Sequence, residues 1–212
     1  MSEPFPTQRR NPRWSSVLLR IILISAGCLA ILLPAWLPNR SSVPIERGTV
    51  EMLQAILLAA SAVVMLGASP YAGRYRPICR ILGLGLIAAV IGEIEDFVSD
   101  ILGWPFPESA LVAAILLVAL ITALRHRRTT VDFISRLGSH AGSGLIAAAL
   151  LINYIFNILM GSPTFWKAAL GSEFSPAVPR ICKSYLELLA CYLIFIGALG
   201  LSITMARRKE SV

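Results

Sequence analysis

The chain has 212 residues, of which 56% are hydrophobic and 15% charged; a soluble domain carries roughly a quarter charged residues. With a mean hydropathy of +0.73, this composition excludes a soluble globular enzyme, a nucleic-acid-binding domain and a disordered chain, and leaves a polytopic membrane protein. The net charge of +7 is read as a topology signal rather than affinity for nucleic acid, because cytoplasmic loops carry excess Lys and Arg.

A spanning helix needs about 20 mostly apolar residues to cross ~30 Å of hydrocarbon. Six stretches meet or approach that length. In chain order they are Val17–Leu37, Thr49–Ala68, Ile81–Leu102, the shorter Ser109–Leu124, Gly142–Met160 and Ser184–Met205. The first follows Arg9, Arg10 and Arg13, as a signal peptide would. Its apolar run is too long for one, however, and Pro38-Asn39-Arg40 is not a small-x-small cleavage site, so it is read as a retained helix. Residues 1–13, with Pro4, Pro6 and Pro12, are expected to form a flexible tail.

The predicted fold is therefore all-α: one domain, residues 1–212, with six transmembrane helices. One side of the membrane receives Arg9, Arg10, Arg13, Arg20, Arg74, Arg76, Arg80, Arg125, Arg127, Arg128, Arg136, Arg207, Arg208 and Lys209. The other receives Arg40, Arg47, Lys167, Arg180 and Lys183. The positive-inside rule places both termini in the cytoplasm, and an even number of spans agrees. A multi-pass protein of a bacterial inner membrane is expected, with the lipid bilayer and other membrane subunits as partners and no nucleic acid. Thr129–His140 carries Val131, Phe133, Ile134 and Leu137 at helical spacing and is expected to lie along the inner surface. Thr164–Leu170, with Phe165 and Trp166, suits an interfacial helix on the outer side.

A carboxylate within hydrocarbon costs at least ~2.5–3.5 kcal/mol, which makes intramembrane acids functional candidates. The third span holds Glu93, Glu95, Asp96 and Asp100. At 100° per residue Glu93, Asp96 and Asp100 share a face while Glu95 points away. Gly85, Ala89 and Gly92 lead into that face, and small residues at such spacing let a neighbouring helix approach. The predicted topology brings Glu51 of the second span with Glu46 just before it, Glu187 of the sixth, and Asn153, Tyr154 and Asn157 of the fifth to the same outer depth. The inner halves of these spans are mostly Ala, Leu, Ile, Val and Gly, which favours a one-sided site over a through-channel.

Three chemistries fit. The acids with amide and phenol oxygens could bind a divalent cation or share protons, as part of a transport or accessory subunit. Glu51, Glu93, Asp96 and Glu187 could instead hold a metal for a membrane enzyme acting on a lipid or another membrane substrate. Finally, Arg47, Arg180 and Lys183 could neutralise the acids in a structural network or partner interface. His126 lies in a basic run and His140 at the opposite end of the fifth span, so the outer site has no imidazole; zinc is disfavoured, and no haem or nucleotide motif is present. Cys28, Cys79, Cys182 and Cys191 form no CxxC pair and are read as small apolar fillers.

Two fragments carry a family resemblance. Glu46-Arg47-Gly48-Thr49-Val50-Glu51 has an E-x-G-x-x-E pattern at the start of one span, and Gly92-Glu93 opens an acidic motif at the end of the next. This order resembles a group of poorly characterised bacterial polytopic membrane proteins with E-x-G-x-x-E and G-E-E-type motifs. The resemblance covers the second and third spans. The group continues with a Trp-Gly-Gln segment and a later Asn/His motif, whereas Glu95-Asp96-Phe97 follows here and the outer side lacks histidine. The resemblance implies a site at Glu46, Glu51 and Glu93 and names no substrate.

Overall fold

Proline and glycine punctuate the helices where the backbone tolerates them. Pro77 stands in the first turn of its helix and Pro163 likewise, where a missing N–H leaves no bond unmade. Gly103 ends the helix containing Glu93 in a left-handed conformation (φ 67°), with its N–H donating to the Ser99 carbonyl. The computed structural model describes residues 22, 24–31, 47–104, 107–139 and 142–207. In chain order these form α1 (24–31), α2 (Arg47–Ala68), α3 (Arg76–Leu102), α4 (Glu108–Arg125) and α5 (Arg127–Ser135). After them come α6 (Ser143–Leu151), a π turn (Ile152–Phe156), α7 (Asn157–Met160), α8 (Pro163–Leu170) and α9 (Ala177–Arg207). Short 3-10 turns link several of them, and no strand occurs among the described residues.

Five stretches are long and apolar enough to cross a membrane: Thr49–Tyr71, Gly73–Glu95, Glu108–Arg125, Ser143–Met160 and Ala177–Met205. The protein is thus an all-helical, multi-pass membrane protein. Much of the predicted first span, and all of the tail, lie outside the described residues. Where it is described, as α1, Ile24 and Cys28 pack against the cluster of Ala149, Ala190 and Leu193, and Gly27 meets the Tyr192 ring. Two predicted starts move outward: α3 begins at Arg76 rather than Ile81, and α9 at Ala177 rather than Ser184. Hydropathy ends a span at Arg80 or Lys183, but an exposed arginine or lysine does not end a helix that continues out of the hydrocarbon.

The helices pack as neighbours in the order α4, α3, α2, α9, α6, with α2 between α3 and α9. The contact faces are rich in small side chains, including Ala55, Ser61, Ala62, Ala190 and Ala198, which allow close approach without a hydrophobic driving force between spans. The closest approach is at Gly142 and Gly197. A Cβ on Gly142 (φ 94°) would overlap the Gly197 carbonyl, and one on Gly197 would sit 2.7 Å from Ile146 Cγ1. Gly83 is tight against Leu66, whereas nothing lies within 4 Å of a Cβ on Gly85. Ala89 and Gly92 are exposed. The expected small-residue face of Gly85, Ala89 and Gly92 is therefore not the packing face, which is displaced around the helix to Gly83. The outward residues of α4, among them Leu117, Leu120, Ile121 and Leu124, are about half exposed or more, as lipid-facing side chains are.

At one end, α5 crosses beside α3, α4 and the turn Gly73–Tyr75. Its Phe133 is buried in a cluster with Met65, Tyr75, Ile78, Cys79, Leu201 and Met205, edge-on to Tyr75 with ring centroids 6.1 Å apart. Asp132 pairs with Arg74 through Oδ2 and with Arg136 Nε at 2.9 Å through Oδ1, and the Tyr75 hydroxyl donates to it at 3.3 Å. Both arginines are more than half exposed, so solvent screens the pairs. Asp132→Ala is expected to cost only about 1 kcal/mol globally but to free α5 locally. Faster tryptic cleavage at Arg127 and Arg128 in micelles, with an almost unchanged unfolding midpoint, is the expected result.

Candidate functional site

The opposite end of the bundle gathers acids from several helices. Gln54, one turn after Glu51 on α2, is buried, and its Nε2 donates to the Ser184 carbonyl oxygen at 3.1 Å. This bond fixes α2 against the first turns of α9, at the level of Glu187. On α9, Lys183 and Glu187 are one turn apart, and the ammonium lies 3.7 Å from Glu187 Oε1. The same oxygen accepts from Asn157 Nδ2 at 2.8 Å. Asn157 begins α7 directly after the π turn, and its Oδ1 is buried without a partner among the described residues.

Glu93 of α3 completes the group. It is half-buried and lies within electrostatic reach of Glu187, Glu51 and Lys183. Among the described residues it makes no hydrogen bond or ion pair. Cys191, one turn beyond Glu187, is buried. Glu51, Glu93, Asn157 and Glu187, on α2, α3, α7 and α9, are thus gathered at this end, with Asn157 and Glu187 in direct contact.

The other expected site residues are placed differently. Asp100 is exposed near the end of α3. Glu46 lies outside the described residues, and Asp96 is helical with its side chain outside the description. Asn153 and Tyr154 were expected to support the acids, but both are exposed, Tyr154 at 66%. The cause is the π turn Ile152–Phe156. Its wider turn breaks the α-helical register that would have put Asn153 on the face of Asn157. Among the described residues no three His, Cys, Asp or Glu side chains are placed to hold a metal ion, so Glu51, Glu93 and Glu187 do not by themselves assemble the metal shell considered from the sequence.

Glu108, in the first turn of α4, was missed by the sequence reading. A Cβ on Gly92 would lie 3.4 Å from its Oε1, which puts a further carboxylate beside α3 at this end. Its signal was available: it is an acid at the start of a span descending from the same side. Gln54 was also missed, hidden within an apolar run.

The arrangement can exchange a proton or bind a cation, with Glu187 held by the Asn157 amide and the Lys183 ammonium and Glu93 by neither. An interhelical hydrogen bond in a membrane contributes ~0.6–1.7 kcal/mol, so Asn157→Leu is expected to lower stability by about that much. Asn157→Asp, which sets a second carboxylate against Glu187, should lower it further. Unfolding in mixed detergent gives the order.

No family model matches the chain, and neither a curated protein nor a solved structure does so.

Proposed function

We propose that this membrane protein takes up a proton at an acidic site near one face of the bilayer, centred on Glu93, as part of a transport function or as an accessory subunit. The supporting observation is Glu93 itself: a half-buried carboxylate without a hydrogen bond or ion pair among the described residues, close to two more carboxylates. A bare carboxylate in such surroundings is costly unless a proton or cation neutralises it. A proton needs no additional ligands, whereas a divalent ion needs about six oxygens.

The chain crosses the membrane six times, with α1 as part of the first span and both termini cytoplasmic in a bacterial inner membrane. The segregation of basic residues supports this orientation. The site then opens outward. Proteoliposomes given a pH jump or a cation gradient test the function: wild-type protein should take up protons, and Glu93→Gln should not. Uptake that follows a metal ion in place of the proton would favour the metal-dependent alternative. No uptake under either condition would leave the acids as a structural network.

A further inference from the structure

We propose that the end of the bundle opposite the acids binds the headgroups of anionic phospholipids in the adjoining leaflet, with α5 as the contact element. The surface is built on one side of that helix. Arg127 and Arg128 lie one turn before Val131, and Ile134 one turn after it, so all four face the same way. Phe133 points oppositely, into the bundle. Val131 and Ile134 are 65% and 61% exposed, and both arginines are exposed beside them.

Ile121 and Leu124, in the last turns of α4 just before α5 in the chain, are also exposed apolar residues. Arg125 ends α4 and Arg80 lies in the second turn of α3, against which α5 packs; both are exposed. The acid of α5, Asp132, is already engaged by Arg74 and Arg136, so it fixes the helix in place and leaves Arg127 and Arg128 to an external anion. Apolar side chains at the acyl boundary with guanidinium groups at headgroup depth match an anionic lipid. An acidic stretch of a soluble protein offers the charge but no counterpart for Val131 and Ile134.

The test uses the full-length protein, delipidated in neutral detergent and titrated with phosphatidylglycerol or phosphatidylcholine, with bound lipid read by native mass spectrometry. Wild-type protein should retain phosphatidylglycerol preferentially. Each arginine near a charged lipid surface contributes roughly fivefold, so Arg80→Gln/Arg127→Gln/Arg128→Gln should lower that preference on the order of a hundredfold while phosphatidylcholine binding stays constant. Lys167→Gln/Arg180→Gln, which neutralises the other end, should leave it unchanged. Because a triple variant can misfold, wild-type protein at about 1 M salt serves as a second arm: screening over ~3 Å should abolish the preference. Equal binding of the two lipids by wild-type protein, or a preference that survives both the substitutions and the salt, overturns the proposal.

Discussion

Gly197→Leu is expected to lower stability by about 3 kcal/mol or more, the loss typical of an overpacked interface that cannot yield. At this position even a single Cβ would sit 2.7 Å from Ile146 Cγ1 and 2.9 Å from the Gly142 carbonyl oxygen. The Gly142 oxygen is backbone, as is the Ile146 nitrogen 3.3 Å away, so relief requires α6 and α9 to separate. That separation would open the Ala149–Ala190–Leu193 cluster, against which α1 also packs. Gly142→Ala adds a second cost at the same contact. Its φ of 94° suits glycine, and an L side chain there is strained by roughly 1–2 kcal/mol beyond the clash. Gly85→Ala is the contrasting case. With open space around its Cβ position, it should be neutral or stabilising by up to ~1 kcal/mol through helix propensity. Unfolding midpoints in a mixed-micelle titration measure all three, and a Gly197→Leu protein as stable as Gly85→Ala would contradict the packing described.

The second large effect concerns Glu93. Glu93→Gln keeps the size and removes the titratable group; proton uptake is expected to fall by on the order of tenfold or more, because Glu93 is half-buried, has no hydrogen-bond or ion-pair partner among the described residues and lies near Glu51 and Glu187. Stability should move the other way. An unpaired carboxylate near the end of a span opposes folding, so Glu93→Leu is expected to stabilise the protein by roughly 1–3 kcal/mol. Glu187→Leu should instead destabilise it, since Lys183 and Asn157 would lose their shared acceptor. A structural network predicts that both leucine variants lose stability. A proton site at Glu93 predicts opposite signs, because functional groups are retained at a cost to stability.

Five of the six expected spans were legible because ~30 Å of hydrocarbon demands a run of apolar residues that almost nothing else in a short chain produces. The surface helix α5 was legible for a related reason: Val131, Phe133, Ile134 and Leu137 recur at helical spacing between charged residues. The starts of α3 and α9 were not, since hydropathy reports where the hydrocarbon ends and not where the helix does. Within the site, Glu51, Glu93, Asn157 and Glu187 could be grouped from sequence because successive spans alternate in direction, which puts alternate ends at one end of the bundle. Asn153 and Tyr154 could not be resolved this way. A π turn leaves no trace in composition, and one irregular turn rotates everything before it relative to everything after. The packing face of α3 was misjudged by about half a turn of rotation, since Gly83 and Gly85 lie roughly 200° apart; in a helix apolar on nearly every side, small residues alone do not mark which face meets a neighbour.

Infrared difference spectroscopy of the reconstituted protein across a pH titration tests the proton site most directly, because a carboxyl group that gains or loses a proton changes its C=O stretching band. A band that follows pH in the wild-type protein, persists in Asp132→Asn and disappears in Glu93→Gln is the predicted result. A titrating carboxyl band that is the same in wild-type and Glu93→Gln protein, or no such band in either, would contradict Glu93 as the group that takes up the proton.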